Sequence, residues 1–181
     1  YSEPGLGTTI RIYLPQGVTK GTQPPAQSPA DSEPLPKGAE TVMIVEDDPF
    51  VRSFAVMRLQ SLGYQVVAAV DGADALQKLR ADVHVDILFT DIVMPGGING
   101  WDLADLARGL RPGLPVLLTS GYALETLAKH GRLRAGAVVL TKPYRKVDLA
   151  RRLREVVSVS QLLSQSLAQV PAVPLTGAEE E

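Results

Sequence analysis

The chain contains no cysteine among its 181 residues. It therefore forms no disulfide bond and offers no thiolate ligand to a metal. This absence is compatible with a reducing compartment, and we expect the protein to be cytoplasmic.

The chain also lacks a strong excess of charge and any long apolar run. Its net charge is −2, so no strongly basic surface indicates a nucleic-acid partner. No stretch approaches the roughly 18 uninterrupted apolar residues of a membrane span. The first residues, YSEPGLGTT, have neither the basic nor the apolar region of a signal peptide. Since an initiator methionine is missing too, we expect a fragment of a longer protein with no membrane contact of its own.

The two ends of the chain differ in composition from its centre. Residues 1–15 read as a turn followed by a short strand, because apolar and other side chains alternate over residues 10–14. Residues 16–39 carry five prolines among Gly, Ser, Thr and Gln, which predicts a flexible linker. Residues 159–181 predict a helical extension of the last helix and then a disordered tail.

Residues 40–158 alternate strand and helix patterns five times. Nearly continuous apolar runs, typical of strands covered on both faces, occur at residues 42–45, 66–70, 86–90, 115–119 and 137–140. Apolar stripes at helical spacing lie between them. The first stripe ends at Gly63, a suitable helix stop, and consists of Val51, Phe54, Ala55, Leu59 and Leu62. This alternation predicts an α/β domain, a doubly wound five-stranded parallel sheet with helices on both sides.

Polar residues follow the predicted strands at the points where these end. In an open parallel sheet, binding sites form at the carboxyl ends of the strands. The residues at these ends are Glu46, Asp47 and Asp48 after the first strand, Asp91 after the third, Thr119 and Ser120 at the fourth, and Thr141 and Lys142 at the fifth. Clustered carboxylates suit Mg²⁺, which prefers oxygen ligands and offsets the repulsion among the acids.

Four stretches, VMIVEDDPFVR, DILFTDIVMP, PVLLTSGY and VLTKPY, together resemble the receiver domain of two-component response regulators. The resemblance covers residues 41–157 and implies a flavodoxin-like (βα)5 fold. It also implies phosphoryl transfer from a phosphohistidine to Asp91, which is a nucleophile and a metal ligand. Asp47 would bind Mg²⁺ directly, Glu46 through water, and Val93 through its backbone carbonyl. Lys142 and Ser120 would contact the phosphoryl group, and the Lys142–Pro143 bond is cis in this family.

Several of these residues have simpler structural explanations. Asp48 precedes Pro49, which suits a first helical position, so Asp48 is most simply an N-cap. Thr119 competes with Ser120 for the hydroxyl role, and counting from Pro115 favours Ser120. The two histidines, His84 and His130, lack the surroundings of a phosphodonor helix and are expected at the surface.

The first fifteen residues carry a second resemblance. SEPGLGTTIRIYLP is similar to the end of a histidine-kinase ATP-binding domain, with Gly5, Gly7 and Thr8 in its last glycine box. No other part of a nucleotide site is present, so this stretch should not bind ATP. It implies that the chain is the C-terminal receiver of a hybrid histidine kinase, with the remnant at 1–15, the linker at 16–39 and the receiver at 40–158.

Other functions fit the residues less well. An aspartyl-phosphate phosphatase needs a second aspartate two residues after the nucleophile, where Val93 stands. A nucleotide-binding module needs a glycine-rich turn after the first strand, where EDDP stands. A receiver-like interaction module that is never phosphorylated stays open as the alternative. The expected partners are a histidine kinase core or a histidine phosphotransfer protein.

Overall fold

We describe the protein from a computed structural model. The description covers residues 2–3, 7–8, 11, 13, 35–123, 134 and 136–168, with side chains in the last helix described up to residue 162. The chain divides into two compact units, Tyr1–Glu33 and Pro34–Glu181. Of the predicted strand over residues 10–14 only residues 11 and 13 are described, and neither is assigned to a strand. Most of the predicted linker lies outside the described residues.

The described part of the first unit is a small antiparallel pair. Strand β1 (Ser2–Glu3) pairs with β2 (Gly7–Thr8), with Ser2 opposite Thr8 and Glu3 opposite Gly7.

The second unit alternates strands and helices as predicted, except that most of the segment between its fourth and fifth strands, where another helix is predicted, lies outside the described residues. Its described elements are β3 (Thr41–Val45), α1 (Pro49–Ser61), β4 (Gln65–Ala69), α2 (Gly72–Arg80), β5 (Ile87–Asp91), α3 (Gly100–Leu110), β6 (Val116–Ser120), β7 (Val138–Thr141) and α4 (Lys146–Ala168). Each strand lies within one residue of its predicted bounds. Helix α4 continues to Ala168, into the predicted helical extension, and residues 169–181 lie outside the described residues.

The five strands of this unit form one parallel sheet in the order β4-β3-β5-β6-β7. The chain starts in the middle of the sheet, winds to one side and then crosses to the other, so the predicted doubly wound topology is confirmed. Since the strand order reverses between β3 and β5, a crevice forms at their carboxyl ends.

Two apolar cores cover the two faces of the sheet. Along β3, Met43 and Val45 point into one core while Val42 and Ile44 point into the other, as the period of two requires. Helices α2 and α3 complete the first core, and α1 and α4 complete the second. Both sheet faces are therefore buried, which explains why the strand sequences are continuously apolar.

The first predicted helical stripe is only partly buried. Ala55, Leu59 and Leu62 lie in the core, but Val51 and Phe54 are exposed. The prediction that Phe54 belongs to the core face is wrong, because its ring lies against the guanidinium of Arg58 instead. Helix α1 ends as predicted, with Gly63 at a positive φ of 95°.

Candidate functional site

Three carboxylates meet at the carboxyl ends of β3 and β5. Oxygen atoms of Glu46, Asp47 and Asp91 all lie within 4.8 Å of one another. Glu46 is 4% exposed and Asp91 is 9% exposed, whereas Asp47 faces solvent. Oxygen ligands that converge in this way are what a hard divalent cation requires. The cluster is therefore chemically suited to Mg²⁺.

Lys142 is the cation that faces this cluster. Its Nζ donates to Asp91 Oδ2 at 2.6 Å and to Glu46 Oε2 at 2.7 Å. The contact with Glu46 was not predicted. It arises because β3 and β5 are neighbours in the sheet, so one ammonium group reaches a carboxylate on each. One lysine thus faces three acidic side chains.

The electrostatics of this site favour a charged lysine and disfavour a charged Glu46. Burial lowers the pKa of Lys142, but its hydrogen bonds to Asp91 and Glu46 raise it more, so the pKa lies above the usual lysine value. Burial raises the pKa of Glu46, and the hydrogen bond from Lys142 offsets only part of that rise. The charges of Asp91 and Asp47 raise the Glu46 pKa further.

Ser120 is the last residue of β6 and lies beside the end of β7, the strand that precedes Lys142. Ser120 is fully buried and pairs with Thr141 in the sheet register. Its carbonyl accepts a hydrogen bond from the Lys142 backbone N at 2.7 Å, and its Oγ accepts one from Tyr122 N at 3.0 Å. Thr119, the alternative hydroxyl, is also buried, and its Oγ1 has no partner among the described residues.

The loop after β5 folds back on the carboxylate of Asp91. Val93 N donates to Asp91 Oδ1 at 3.2 Å, while the Val93 side chain is 56% exposed. Only the backbone of Val93 can therefore contribute to the site. Further along this loop, Gly96 and Gly97 both have positive φ angles near 95°, which suits glycine.

Asp48 lies apart from the acidic cluster and caps helix α1. Its Oδ1 accepts from Phe50 N at 2.8 Å and from Val51 N at 2.9 Å, with Pro49 in the first turn. The N-cap prediction is confirmed. Of the three consecutive acids, two enter the cluster and the third caps the start of α1.

Two residues that support the site were missed in the sequence. Arg52 Nη1 donates to the backbone carbonyls of Glu46 at 2.6 Å and Asp47 at 3.2 Å. The only feature of the sequence that could have indicated this role is the position of Arg52 one turn into α1. Gly100 packs against the backbone of Asp91, since a Cβ there would lie 2.1 Å from the Asp91 carbonyl oxygen. No sequence pattern indicates this contact, because it depends on how α3 meets β5.

Two other expectations concern the residues around the site. The Lys142–Pro143 peptide bond is cis, as expected. His84 is exposed and lies 3.1 Å from Asp86, whereas His130 lies outside the described residues. Among the described helices, none combines the length and the apolar character that crossing a membrane requires.

Comparisons with known proteins agree with this architecture. Residues 42–154, more than half of the chain, match the family model of the response regulator receiver domain. The chain is 34% identical over 160 residues to the sensor kinase CckA of Brucella abortus, covering 85% of this chain but only 17% of that protein. It is 32% identical over 114 residues to the response regulator receiver protein CpdR of the same organism, covering 63% of this chain and 93% of CpdR.

A solved structure of the receiver domain of the hybrid histidine kinase CckA superposes with a TM-score of 0.54 at 34% identity. The match covers 65% of this chain and 98% of that domain. Fold, strand-end residues and family model coincide over the same part of the chain, which therefore belongs to the response regulator receiver domain family of two-component systems.

Proposed function

We propose that this receiver accepts a phosphoryl group from phosphohistidine on Asp91, in a reaction that depends on Mg²⁺, and that it signals through protein contacts. The observation that carries the proposal is the 2.6 Å contact between Lys142 Nζ and Asp91 Oδ2 inside a cluster of three carboxylates. A lysine held against a buried aspartate is already beside the place where the charged phosphoryl oxygens will lie.

Mg²⁺ fits the residues present at the carboxyl ends. Asp47 and Asp91 would bind it directly, Glu46 through water, and Val93 through its backbone carbonyl. When bound, the ion supplies positive charge that stabilises the transferring group. It would also offset the repulsion from Asp91 and Asp47, which adds to the effect of burial in raising the pKa of Glu46.

The protein's own residues position and stabilise the reacting group. A carboxylate oxygen of Asp91 attacks phosphorus, an O–P bond forms, and the P–N bond to the donor histidine breaks. Lys142 then pairs with a phosphoryl oxygen as a point charge. Ser120 Oγ accepts from Tyr122 N, so its hydroxyl hydrogen can donate to a second phosphoryl oxygen. A water molecule that attacks phosphorus in line later releases phosphate and restores Asp91.

The context of the receiver is part of the proposal. The chain spans 17% of the sensor kinase CckA that it resembles, and residues 1–15 are similar to the end of a kinase ATP-binding domain. We place the receiver at 40–158 of a cytoplasmic hybrid kinase region, behind a linker at 16–39 and before the extension at 159–181. The partner is a histidine kinase core or a histidine phosphotransfer protein, with no nucleic-acid or membrane contact by this segment.

The test is incubation with Mg²⁺ and a small acyl phosphate, followed by intact-mass measurement. We expect the unsubstituted protein to gain one phosphoryl group and Asp91→Asn to gain none. Asp48→Asn is the matched control, because asparagine also caps a helix and Asp48 lies outside the cluster. It should gain one group, and a chelator should prevent the gain.

Two outcomes would overturn the proposal. An equal gain in Asp91→Asn would place the acceptor elsewhere. No gain with any donor, in a folded protein, would instead support the interaction module that is never phosphorylated.

A further inference from the structure

The loop that carries Lys142 is anchored on both sides. On one side, the Lys142 backbone N donates to the Ser120 carbonyl at 2.7 Å. On the other side, the ring of Tyr144 packs edge-on against Phe89, with centroids 6.1 Å apart and an interplanar angle of 67°. Phe89 lies in β5, two residues before Asp91. Lys142 therefore begins a loop in which Tyr144, two residues later, is fixed to the core.

Arg58 on α1 completes this second anchor. Its Nη1 donates to the Tyr144 carbonyl at 2.5 Å, across 86 residues of sequence. Its guanidinium lies 4.2 Å from the ring centroid of Phe54 and 5.7 Å from that of Tyr144. A half-buried guanidinium close to two rings is held in place by cation–π attraction and by the hydrogen bond together.

Helix α1 therefore bonds to both loops that form the site. Arg52, in its first turns, donates to the backbone carbonyls of Glu46 and Asp47. Arg58, six residues later, donates to the loop that begins at Lys142. Since both arginines project from one rigid helix, the acidic loop and the lysine loop are held at a set separation. The 2.7 Å contact between Lys142 Nζ and Glu46 Oε2 lies between these two attachments.

We propose that Arg58 is a positioning residue, which acts on phosphoryl transfer through Lys142. It touches neither the acidic cluster nor the phosphoryl group. Its role is to hold the lysine loop against α1, so that the ammonium group stays at Asp91. This inference rests on the proposed function, and it adds a residue that the reaction would otherwise not involve.

The chain offers a matched control at the opposite end of the sheet. Arg154 on α4 lies 5.4 Å from the ring centroid of Tyr64, donates to the Tyr64 hydroxyl at 3.1 Å and pairs with Glu40 at 2.7 Å. It resembles Arg58 in chemistry, but its contacts within the described part of the chain are to Tyr64 and Glu40, away from both site loops. Arg154→Met therefore reports the cost of losing a half-buried arginine contact without displacing Lys142.

The first experiment is a double-mutant cycle on the rate of phosphoryl gain with Mg²⁺ and a small acyl phosphate. Because a misplaced group costs rate steeply, we expect Arg58→Met to slow the reaction about tenfold. In a Lys142→Met background it should slow the reaction less than about twofold, since the effect passes through the lysine. Arg58→Lys, which keeps the charge over the rings, should recover most of the rate, and Arg154→Met should change it little.

A purely structural role for Arg58 predicts a different pattern. Arg58→Met would then slow the reaction by the same factor in both backgrounds, or would slow it no more than Arg154→Met does. Either result overturns the proposal. Melting temperatures of all variants, measured alongside, show whether each protein is folded at the assay temperature.

A second measurement does not depend on phosphorylation. Acetylation of lysines by a mild reagent, read by mass spectrometry, reports how tightly Lys142 is held. We expect Arg58→Met to raise the Lys142 acetylation rate about threefold, because a lysine side chain released from its ion pairs presents its amine nitrogen to the reagent more often. Lys78, which pairs with Asp74, is the internal reference and should be unchanged. An unchanged Lys142 rate overturns the positioning role even if Asp91 accepts no phosphoryl group.

Discussion

The parallel sheet has an amino edge, where its strands begin, and a carboxyl edge, where they end. A cation pairs with carboxylates at both edges, but the balance of charge differs between them. At the amino edge, where the strands begin, Arg154 pairs with Glu40 at 2.7 Å and donates to the Tyr64 hydroxyl. At the carboxyl edge, where they end, Lys142 faces Glu46, Asp91 and the neighbouring Asp47. One edge balances its charges, and the other keeps an excess of negative charge.

The pKa values of the two glutamates express this difference. Burial raises the pKa of Glu40, but the hydrogen bond and charge of Arg154 outweigh it, so the net pKa is lowered. Burial raises the pKa of Glu46, and Lys142 does not fully offset it. A balanced pair stabilises the fold at neutral pH, whereas crowded acids reduce stability and create a place for a cation. The comparison separates residues that hold the domain together from residues that serve its reaction.

The largest expected effect is the loss of stability caused by a steric clash at the carboxyl edge. In Gly100→Ala the new methyl group would meet the Asp91 carbonyl oxygen at 2.1 Å, and the backbone there cannot rotate away. We expect a loss of about 3 kcal/mol in the free energy of unfolding, measured by urea denaturation. Phosphoryl gain should fall as well, because Asp91 itself must shift.

Gly109→Ala in the same helix is the matched control. A Cβ at Gly109 meets nothing within 4 Å, so alanine should be neutral or stabilise the helix by about 0.5–1 kcal/mol. Equal stabilities for the two variants would contradict the close packing of α3 on Asp91.

The next largest effect belongs to the amino edge. Arg154→Met removes the donor to a buried Tyr64 hydroxyl and leaves Glu40 without its partner. Allowing for the partial exposure of the ion pair, we expect a loss of about 2 kcal/mol in unfolding free energy. Arg152→Met, which breaks an exposed pair with Glu155 on the same helix, should cost less than about 0.5 kcal/mol. Equal free energies of unfolding for the two variants would show that Arg154 stabilises the fold no more than an exposed ion pair does.

A smaller effect concerns pH at the amino edge. Because the folded pKa of Glu40 lies below the usual 4.5, its contribution is present above that pH and is lost as pH falls through the folded value. Glu40→Gln should therefore be less stable than the unsubstituted protein at neutral pH, by about 0.5–1 kcal/mol. The difference should shrink as the pH is lowered below 4.5. A difference that stays constant with pH would show that the charge of Glu40 plays no part.

Much of this organisation could be predicted because it follows from periodicity and from one topological rule. Continuous apolar runs predict strands buried on both faces, and the carboxyl ends of parallel strands meet at one edge. Residues as distant as Asp91 and Lys142 were therefore expected together, and they lie in contact. The cap at Asp48 was predictable because it depends only on neighbouring residues.

Contacts between elements could not be predicted in this way. The hydrogen bond from Arg58 to the Tyr144 carbonyl joins residues 86 positions apart and leaves no periodic signal. Phe54 has the spacing of a core residue, yet it is 48% exposed, because a guanidinium can lie over an aromatic ring as stably as an apolar side chain. The approach of Gly100 to Asp91 depends on the angle of α3, which no local pattern encodes.

The most direct test of the contrast between the two edges is the melting temperature measured with and without Mg²⁺. At a concentration of about ten times its dissociation constant, Mg²⁺ should raise the free energy of unfolding by about 1.4 kcal/mol and the melting temperature by about 4 °C. Glu40→Gln should show the same rise from a lower starting point. Asp47→Asn should melt higher than the unsubstituted protein in Mg²⁺-free buffer, because acidic repulsion is reduced, and should gain little from Mg²⁺. A melting temperature of the unsubstituted protein that does not respond to Mg²⁺ would contradict the account.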